Sequence, residues 1–305
     1  MTTTTTLTMS DLVDETLDQL YYEIEKPRPL LLADAIDAST TTLTVVANAE
    51  ITAVTDLFEV GDELMLITGR TDDANPTFTV MRGYSNTTAA AHDAGAVVLV
   101  NPYWPRSNVQ RALRRFFTGV APTFLTLMRA EMMNTDELAG VGQQLIPLDE
   151  DVIRVLEVRY QSPTSGRIVD VPGWRHEDNL PLAVSSTGKG LRVPSTVSPS
   201  DDLLVTMSVR YQWQGTGEAA TIDVPSGTED VPALWAAATL VSGREVSRVE
   251  LDRLTEQSSD QAARAGYTVG LVRLLWQQVY RRLDEARRTI SVPRPLVYRR
   301  FQRGA

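Results

Sequence analysis

The sequence predicts an α+β protein. It has a helical core, a bundle with long C-terminal helices, into which a small β-barrel or sandwich is inserted; a second β-sheet region and an extended C-terminal tail complete it. Three observations predict this. Between Val231 and Ile290, Leu271, Leu275, Val279 and Leu283 recur four apart, with Val272 and Trp276 widening the apolar stripe and Gln277, Gln278, Arg281, Arg282, Glu285 and Arg288 on the other side. From Leu30 to Val100, short β-prone runs alternate with turn signals such as Val60-Gly61-Asp62. From Leu145 to Val224, a second group of strand-like runs is separated by Gly and Pro.

Taken in order, Met1 to Thr8 is a threonine-rich lead, expected to be mobile or extended. Ser10 reads as an N-cap with Asp11 and Asp14 in the first turn, and Val13, Leu17, Leu20 and Ile24 form the apolar face of a short helix ending before Pro27 and Pro29. The inserted module follows in four runs, Thr41 to Val46, Gly61 to Thr68, Thr77 to Tyr84 and Ala94 to Val100. A core helix is expected from Asn101 to Met133, entered at Trp104-Pro105 and burying Val109, Leu113, Phe116, Phe117 and Val120. Pro122 should kink or divide it, with Leu125, Met128 and Met132 continuing the apolar side.

The second β region offers PLDEDVIRVLEVRY, GRIVDVPGW, NLPLAVSS, KGLRVP, DLLVTMSVRYQW and ATIDV, enough for a sheet of about five strands. Leu234, Ala237, Ala238 and Val241 then make a small-residue helix face, and Ser258, Ser259 and Asp260 break the helical stretch in two. The tail PRPLVYRRFQRGA has no period of its own and is expected to order only against a partner. The chain thus divides as 1–29 lead and helix, 30–101 β module, 102–144 core helices, 145–225 second β region, 226–290 C-terminal helices and 291–305 docking tail.

With 305 residues, 43% of them hydrophobic, the chain can bury a large core, and its mean hydropathy of −0.14 is ordinary for a globular protein. No apolar run reaches the roughly 18 residues of a membrane span, and the first residues lack a signal-peptide pattern, so synthesis in the cytoplasm and no membrane partner are expected. The charge is unevenly placed. From Val231 onward thirteen Arg face seven Asp or Glu, a net +6, which leaves −16 on the first 230 residues of a chain whose total is −10. This suggests ends that meet different partners, or acidic surfaces that associate with basic ones; arginines that merely solvate helix faces explain it as well.

Catalytic signatures are missing from the sequence. It holds no cysteine, two well-separated histidines (His92 and His176), and none of the nucleophile-elbow, phosphate-loop, zinc-protease or EF-hand motifs. Asp149, Glu150 and Asp151 lie at a strand entrance where solvation or capping is expected, and Trp174, Arg175 and His176 read as a packing or subunit-contact corner. The expectation is a non-enzyme with no catalytic, cofactor or metal residues, although a glycosidase, whose two carboxylates need not be close in sequence, stays open at this level. Overall acidity and the lack of a compact basic recognition helix argue against a DNA-binding regulator.

GDELMLITGR followed by TFTVMRGYSNTTAAAHDAGAVV resembles a β module that recurs in virion proteins of tailed bacteriophages, with RGY-x-x-T-T-A-A-A-H-x-x-G as its core. The order of helix, β module, helix, PLDEDVIRVLEVRY strand and Arg-rich helical end resembles the head-to-tail adaptor (neck or connector) proteins of those phages. That resemblance implies a homo-oligomeric ring of about twelve copies beneath the portal. It implies docking on the portal protein on one side, on a downstream neck or tail protein on the other, and genomic DNA passing through without specific recognition. It implies a place in the virion neck, and makes Arg294, Tyr298, Arg299, Arg300, Phe301 and Arg303 the portal-docking positions. The inserted β module is larger than in minimal adaptors. The alternative is a peripheral, receptor-binding tail protein, since the same module suits such parts.

Overall fold

The structure is a computed structural model. It describes residues 4–21, 29–46, 56–71, 77–121, 127–134, 144–161, 167–194, 202–245 and 259–289. The expected helical bundle is overturned. The described residues form fifteen strands and four α-helices, the fold is mostly β, and its most regular unit is a closed six-stranded barrel.

Chain order is β1 (Thr4–Thr8), α1 (Met9–Leu20), β2 (Pro29–Leu32), β3 (Thr42–Val46), β4 (Leu57–Val60), β5 (Glu63–Arg70), β6 (Thr77–Met81) and β7 (Val97–Val100). There follow α2 (Arg106–Arg115), a π turn at Phe116–Val120, β8 (Leu127–Asn134), β9 (Gln144–Pro147), β10 (Val152–Gln161), β11 (Ile168–Asp170), β12 (Arg175–Glu177), β13 (Gly190–Val193) and β14 (Asp202–Val209). A short 3-10 turn (Gly217–Ala219), β15 (Thr221–Pro225), α3 (Val231–Glu245) and α4 (Ser259–Thr289) complete it.

The barrel closes in the order β2-β3-β6-β5-β4-β7, every neighbouring pair antiparallel. Closure removes the exposed edges that an open sheet of such short strands would leave. Alternation fills its interior with Leu43, Val45, Phe58, Val60, Met65, Ile67, Phe78, Val80 and Val98, and Phe58 meets Phe78 edge to face at 5.1 Å.

The second β region is not one five-stranded sheet. A four-stranded sheet (β11-β10-β14-β8) and a three-stranded sheet (β12-β13-β9) bury one apolar layer that includes Val155, Val158, Val205 and Met207 from the first and Ile146, Leu191 and Val193 from the second. The run NLPLAVSS forms turns rather than a strand, and β15 pairs with the N-terminal β1 instead of joining either sheet.

Residues 127–134, read from sequence as helix, are a strand along the whole length of β14. Their apolar spacing fits either period, and the free edge of β14 satisfies their backbone groups, which decides the outcome. Met132 accordingly faces outward rather than into a helical core. Pro122 and Leu125, the expected division point and its neighbour, lie outside the described residues.

The helices share a third core with β15 and the aromatics that precede it. Helix α1 starts at Met9 with Thr8 as N-cap, its hydroxyl accepting the Asp11 N–H, two residues earlier than the Ser10 cap expected. It ends at Leu20, and Ile24 lies outside the described residues. The threonine lead is extended because Thr4–Thr8 pairs with Thr221–Pro225. After α2, the π turn presents the successive Phe116 and Phe117 to the core, where Phe116 meets Trp235 at 5.5 Å and Phe117 meets Tyr211 and Trp213 at 5.4 and 5.3 Å.

Among the described residues the C-terminal stretch holds two helices, α3 ending at Glu245 and α4 beginning at Ser259, and Ser258, part of the expected break, lies outside them. Leu234, Ala237, Ala238 and Val241 of α3 are buried, as are Leu275, Val279, Leu283 and Ala286 of α4, each large side chain contributing on the order of 1.5–3 kcal/mol. The small residues of α3 permit that close approach. No helix is long and apolar enough to cross a membrane among the described residues.

Candidate functional site

The buried carboxylates of the described residues, Glu59 and Glu63, lie where the barrel meets the helical core and in the barrel wall. The wall is built on Glu63, at the start of β5 and 1% exposed. Its carboxylate accepts Arg82 Nε and Nη2 at 2.7 and 2.8 Å, the N–H groups of Gly83 and Ala90 at 3.1 Å each, and His92 Nε2 at 2.9 Å. A carboxylate can only accept, so Nε2 is the protonated ring nitrogen. Arg82 spends its remaining donors on the carbonyls of Asp37, Thr40 and Ala90. Burial pushes the Glu63 pKa up, but the bonds from Arg82, His92, Ala90 and Gly83 prevail and hold it below the ordinary 4.5. Gly83 turns the chain at φ 63°, and a Cβ there would meet the Thr87 carbonyl at 3.0 Å. The RGY and TTAAAH residues are therefore one hydrogen-bonded staple around a buried carboxylate.

The joint to the core is built on Arg106, first residue of α2. Pro105, which precedes it, offers no side-chain cap, and Glu59 of β4 supplies one: its Oε1 accepts the Arg106 N–H at 2.6 Å. Phe58 and Val60 point into the barrel, so alternation turns Glu59 outward, beneath the helix, where it is 2% exposed and its Oε2 has no hydrogen-bond partner. The Arg106 guanidinium reaches Asp14 of α1 at 2.7 Å and Glu218 of the 3-10 turn at 2.6 Å, and Gln110 Nε2 donates to Asp62 in the β4–β5 turn at 2.5 Å. Barrel, α1, α2 and the turn before β15 thus meet at one guanidinium and one amide.

The joint is rich in acid. Burial raises the Glu59 pKa to about 8 against the opposing bond from Arg106. Burial, with the neighbouring Glu218 carboxyl, raises Asp62 to about 6.

The remaining sequence candidates have structural partners. Arg129 of β8 reaches Asp149 and Asp151 at 2.9 and 3.0 Å, so two of the three clustered acids clamp a strand entrance. Trp174 packs on the two-sheet core, and His176 pairs in β12 with Leu191 of β13, 3.6 Å from Asp178. Among the described residues no group of acids and histidines is arranged to hold a metal. Arg294, Tyr298, Arg299, Arg300, Phe301 and Arg303 lie outside the described residues.

Sequence reading missed Glu59, Asp62, Arg106, Gln110 and Glu218. The signal available was a carboxylate within the apolar run Leu57-Phe58-Glu59-Val60, but which element covers it is a tertiary fact. Comparison with family models, curated proteins and solved structures finds no match to this chain.

Proposed function

We propose that this chain is a structural virion protein, a head-to-tail adaptor of a tailed bacteriophage that forms a ring between the portal and the next neck or tail component, through which DNA passes. The observation that carries the reading is the Glu63 staple: three residues of the RGY…TTAAAH run on which the resemblance to a phage module rests, Arg82, Gly83 and His92, are committed to holding a barrel in shape. Their role is mechanical. The Arg106 joint mounts that barrel on the helical core, as suits a part that works by presenting surfaces.

In this reading the protein is not an enzyme, and closed rotational symmetry requires one surface of each copy to meet a different surface of the next. Arg294, Tyr298, Arg299, Arg300, Phe301 and Arg303 dock on the portal, their guanidiniums pairing with carboxylates and their aromatics filling pockets.

Electron microscopy of purified virions, with this protein located by labelling, tests the proposal. A ring between portal and tail tube is expected. Density at fibres or baseplate would point to the peripheral receptor-binding alternative, and absence from the virion would sink both. Deleting the residues after Ile290 should abolish portal binding while the melting curve stays unchanged; intact binding would remove the docking role.

A further inference from the structure

Helix α2 carries four arginines and no acid. Arg106 is spent in the joint, whereas Arg111, Arg114 and Arg115 are exposed and form no ion pair among the described residues, Arg114 lying instead over the Trp213 ring at 5.6 Å. Arg111 and Arg115 stand four apart, a like-charge spacing that disfavours a helix unless something anionic sits between them. They border an open cleft of about 330 Å³ between α2 and α3, with Tyr103, Asn108 and Leu240 in its walls. Thr239 lines it too, and its hydroxyl is buried without a hydrogen-bond partner. Such a cleft suits an apolar side chain flanked by a carboxylate. A nucleic-acid backbone would be tracked by a cationic stripe and has no use for an apolar recess.

The chain presents that combination elsewhere. In the turn between β12 and β13, Leu182 is 76% exposed, the highest value among the exposed large hydrophobics of the described residues, and Val184 beside it is exposed as well. The turn is held in shape: Leu180 N–H donates to Gly188 O at 2.7 Å, and Val184 and Ser185 N–H donate to Pro181 O at 2.8 and 3.1 Å. Asp178 stands exposed at its start. A fixed turn holding an apolar knob out in water loses little entropy on docking.

We propose that Leu182 of one copy of this chain inserts into the Tyr103–Leu240 cleft of a second copy, with Asp178 facing Arg111 and Arg115. Knob and cleft belong to different parts of the fold, the two-sheet region and the helical core. Each copy therefore keeps a free knob or cleft for the next, and the contact is heterologous. The inference deepens the adaptor reading and rests on it for the closure of the contact into a ring.

Sedimentation velocity on the full chain tests the contact, using Leu182→Asp as the knob variant and Arg111→Glu with Arg115→Glu as the cleft variant. Each should weaken self-association by at least about 30-fold, the size of a hot-spot loss, with unchanged circular dichroism because all three side chains are exposed. An equimolar mixture of the two variants should recover a dimer and nothing larger, since only one intact knob and one intact cleft remain. The chain has no cysteine, so differently tagged Leu182→Cys and Asn108→Cys copies should form a disulfide-linked heterodimer under mild oxidation.

Variants that associate like the wild type, a mixture that stays monomeric, or a wild type that is monomeric and gives no crosslink each overturn the proposal. So does a cleft variant that loses binding to a fluorescent DNA duplex while self-association persists. The adaptor reading fails separately: a protein absent from the neck whose variants still complement each other leaves this contact standing, and a neck ring without the crosslink removes only the contact.

Discussion

Glu59 caps a helix that begins 47 residues away: its Oε1 accepts the backbone N–H of Arg106 at 2.6 Å, and its other oxygen lies buried against nothing that can donate to it. The cap is thus also a charge that the interface cannot solvate, and stability follows its protonation. Glu59 is raised from 4.5 to about 8 and Asp62 from 3.8 to about 6. For groups with raised folded pKa values, the stability they contribute is complete below the ordinary values and is lost as pH rises through the folded ones. Urea melts should therefore show stability falling between about pH 4 and pH 8 on account of this pair.

The variant Glu59→Gln keeps an acceptor for Arg106 and removes the ionisation. At pH 8 it should be more stable than the wild type by on the order of 1–3 kcal/mol, and at pH 4 the two should coincide. Parallel curves for variant and wild type across this range would assign the pH dependence to another group.

At Arg106, substitution by Met should keep much of the packing and remove the cation that Asp14 and Glu218 share. A loss of about 2–3 kcal/mol is expected in chemical denaturation, smaller in the Glu59→Gln background because one acid fewer is left uncompensated. Equal losses in both backgrounds would mean that the two residues are not coupled.

Within the barrel, Glu63→Ala strands Arg82, which is nearly buried, and frees His92 and two backbone donors. The expected cost is about 3–5 kcal/mol, that of breaking a buried pair from one side. Because the folded pKa of Glu63 is depressed, its contribution is present above 4.5 and is lost as pH falls through the folded value. The difference between variant and wild type should shrink in acid, and a constant difference down to pH 3 would show that ionisation does not matter there.

Helix α4 is pinned at two points, to Asp230 just before α3 and to Ser242 within it. Arg282 grips Asp230 through Nε and Nη2 at 2.7 Å each, and Trp276 Nε1 donates to Ser242 Oγ at 2.9 Å. Arg282→Lys keeps the charge but loses the two-pronged geometry, and should cost about 1 kcal/mol in this partly exposed site. Faster hydrogen exchange confined to residues around 279–286 would report it; exchange that rises evenly across the whole protein would instead indicate a global effect.

Much of the local structure was legible in the sequence because its signals are local. The turn at Gly61-Asp62, the strand around Thr42–Val46 and the buried stripe Leu275-Val279-Leu283 all follow from periodicity and turn chemistry over a few residues. The spacing of Met128 and Met132 serves a strand as well as a helix, and only the open edge of β14 chooses between them. The threonines of β1 likewise became a strand through β15, more than 200 positions away.

The sequence by itself determined the apolar faces, the turns, the charge asymmetry and the lack of familiar catalytic motifs, since each depends on neighbours within a helical turn or a hairpin. Tertiary structure alone decided that the inserted strands close into a barrel and that Glu63 gathers Arg82, Gly83, Ala90 and His92. It also decided that an acid in β4 caps α2. Barrel closure depends on β2 meeting β7 across most of the module, and a buried carboxylate is tolerated only where distant donors converge on it. Such partners are fixed by packing in space, which no local window of sequence contains.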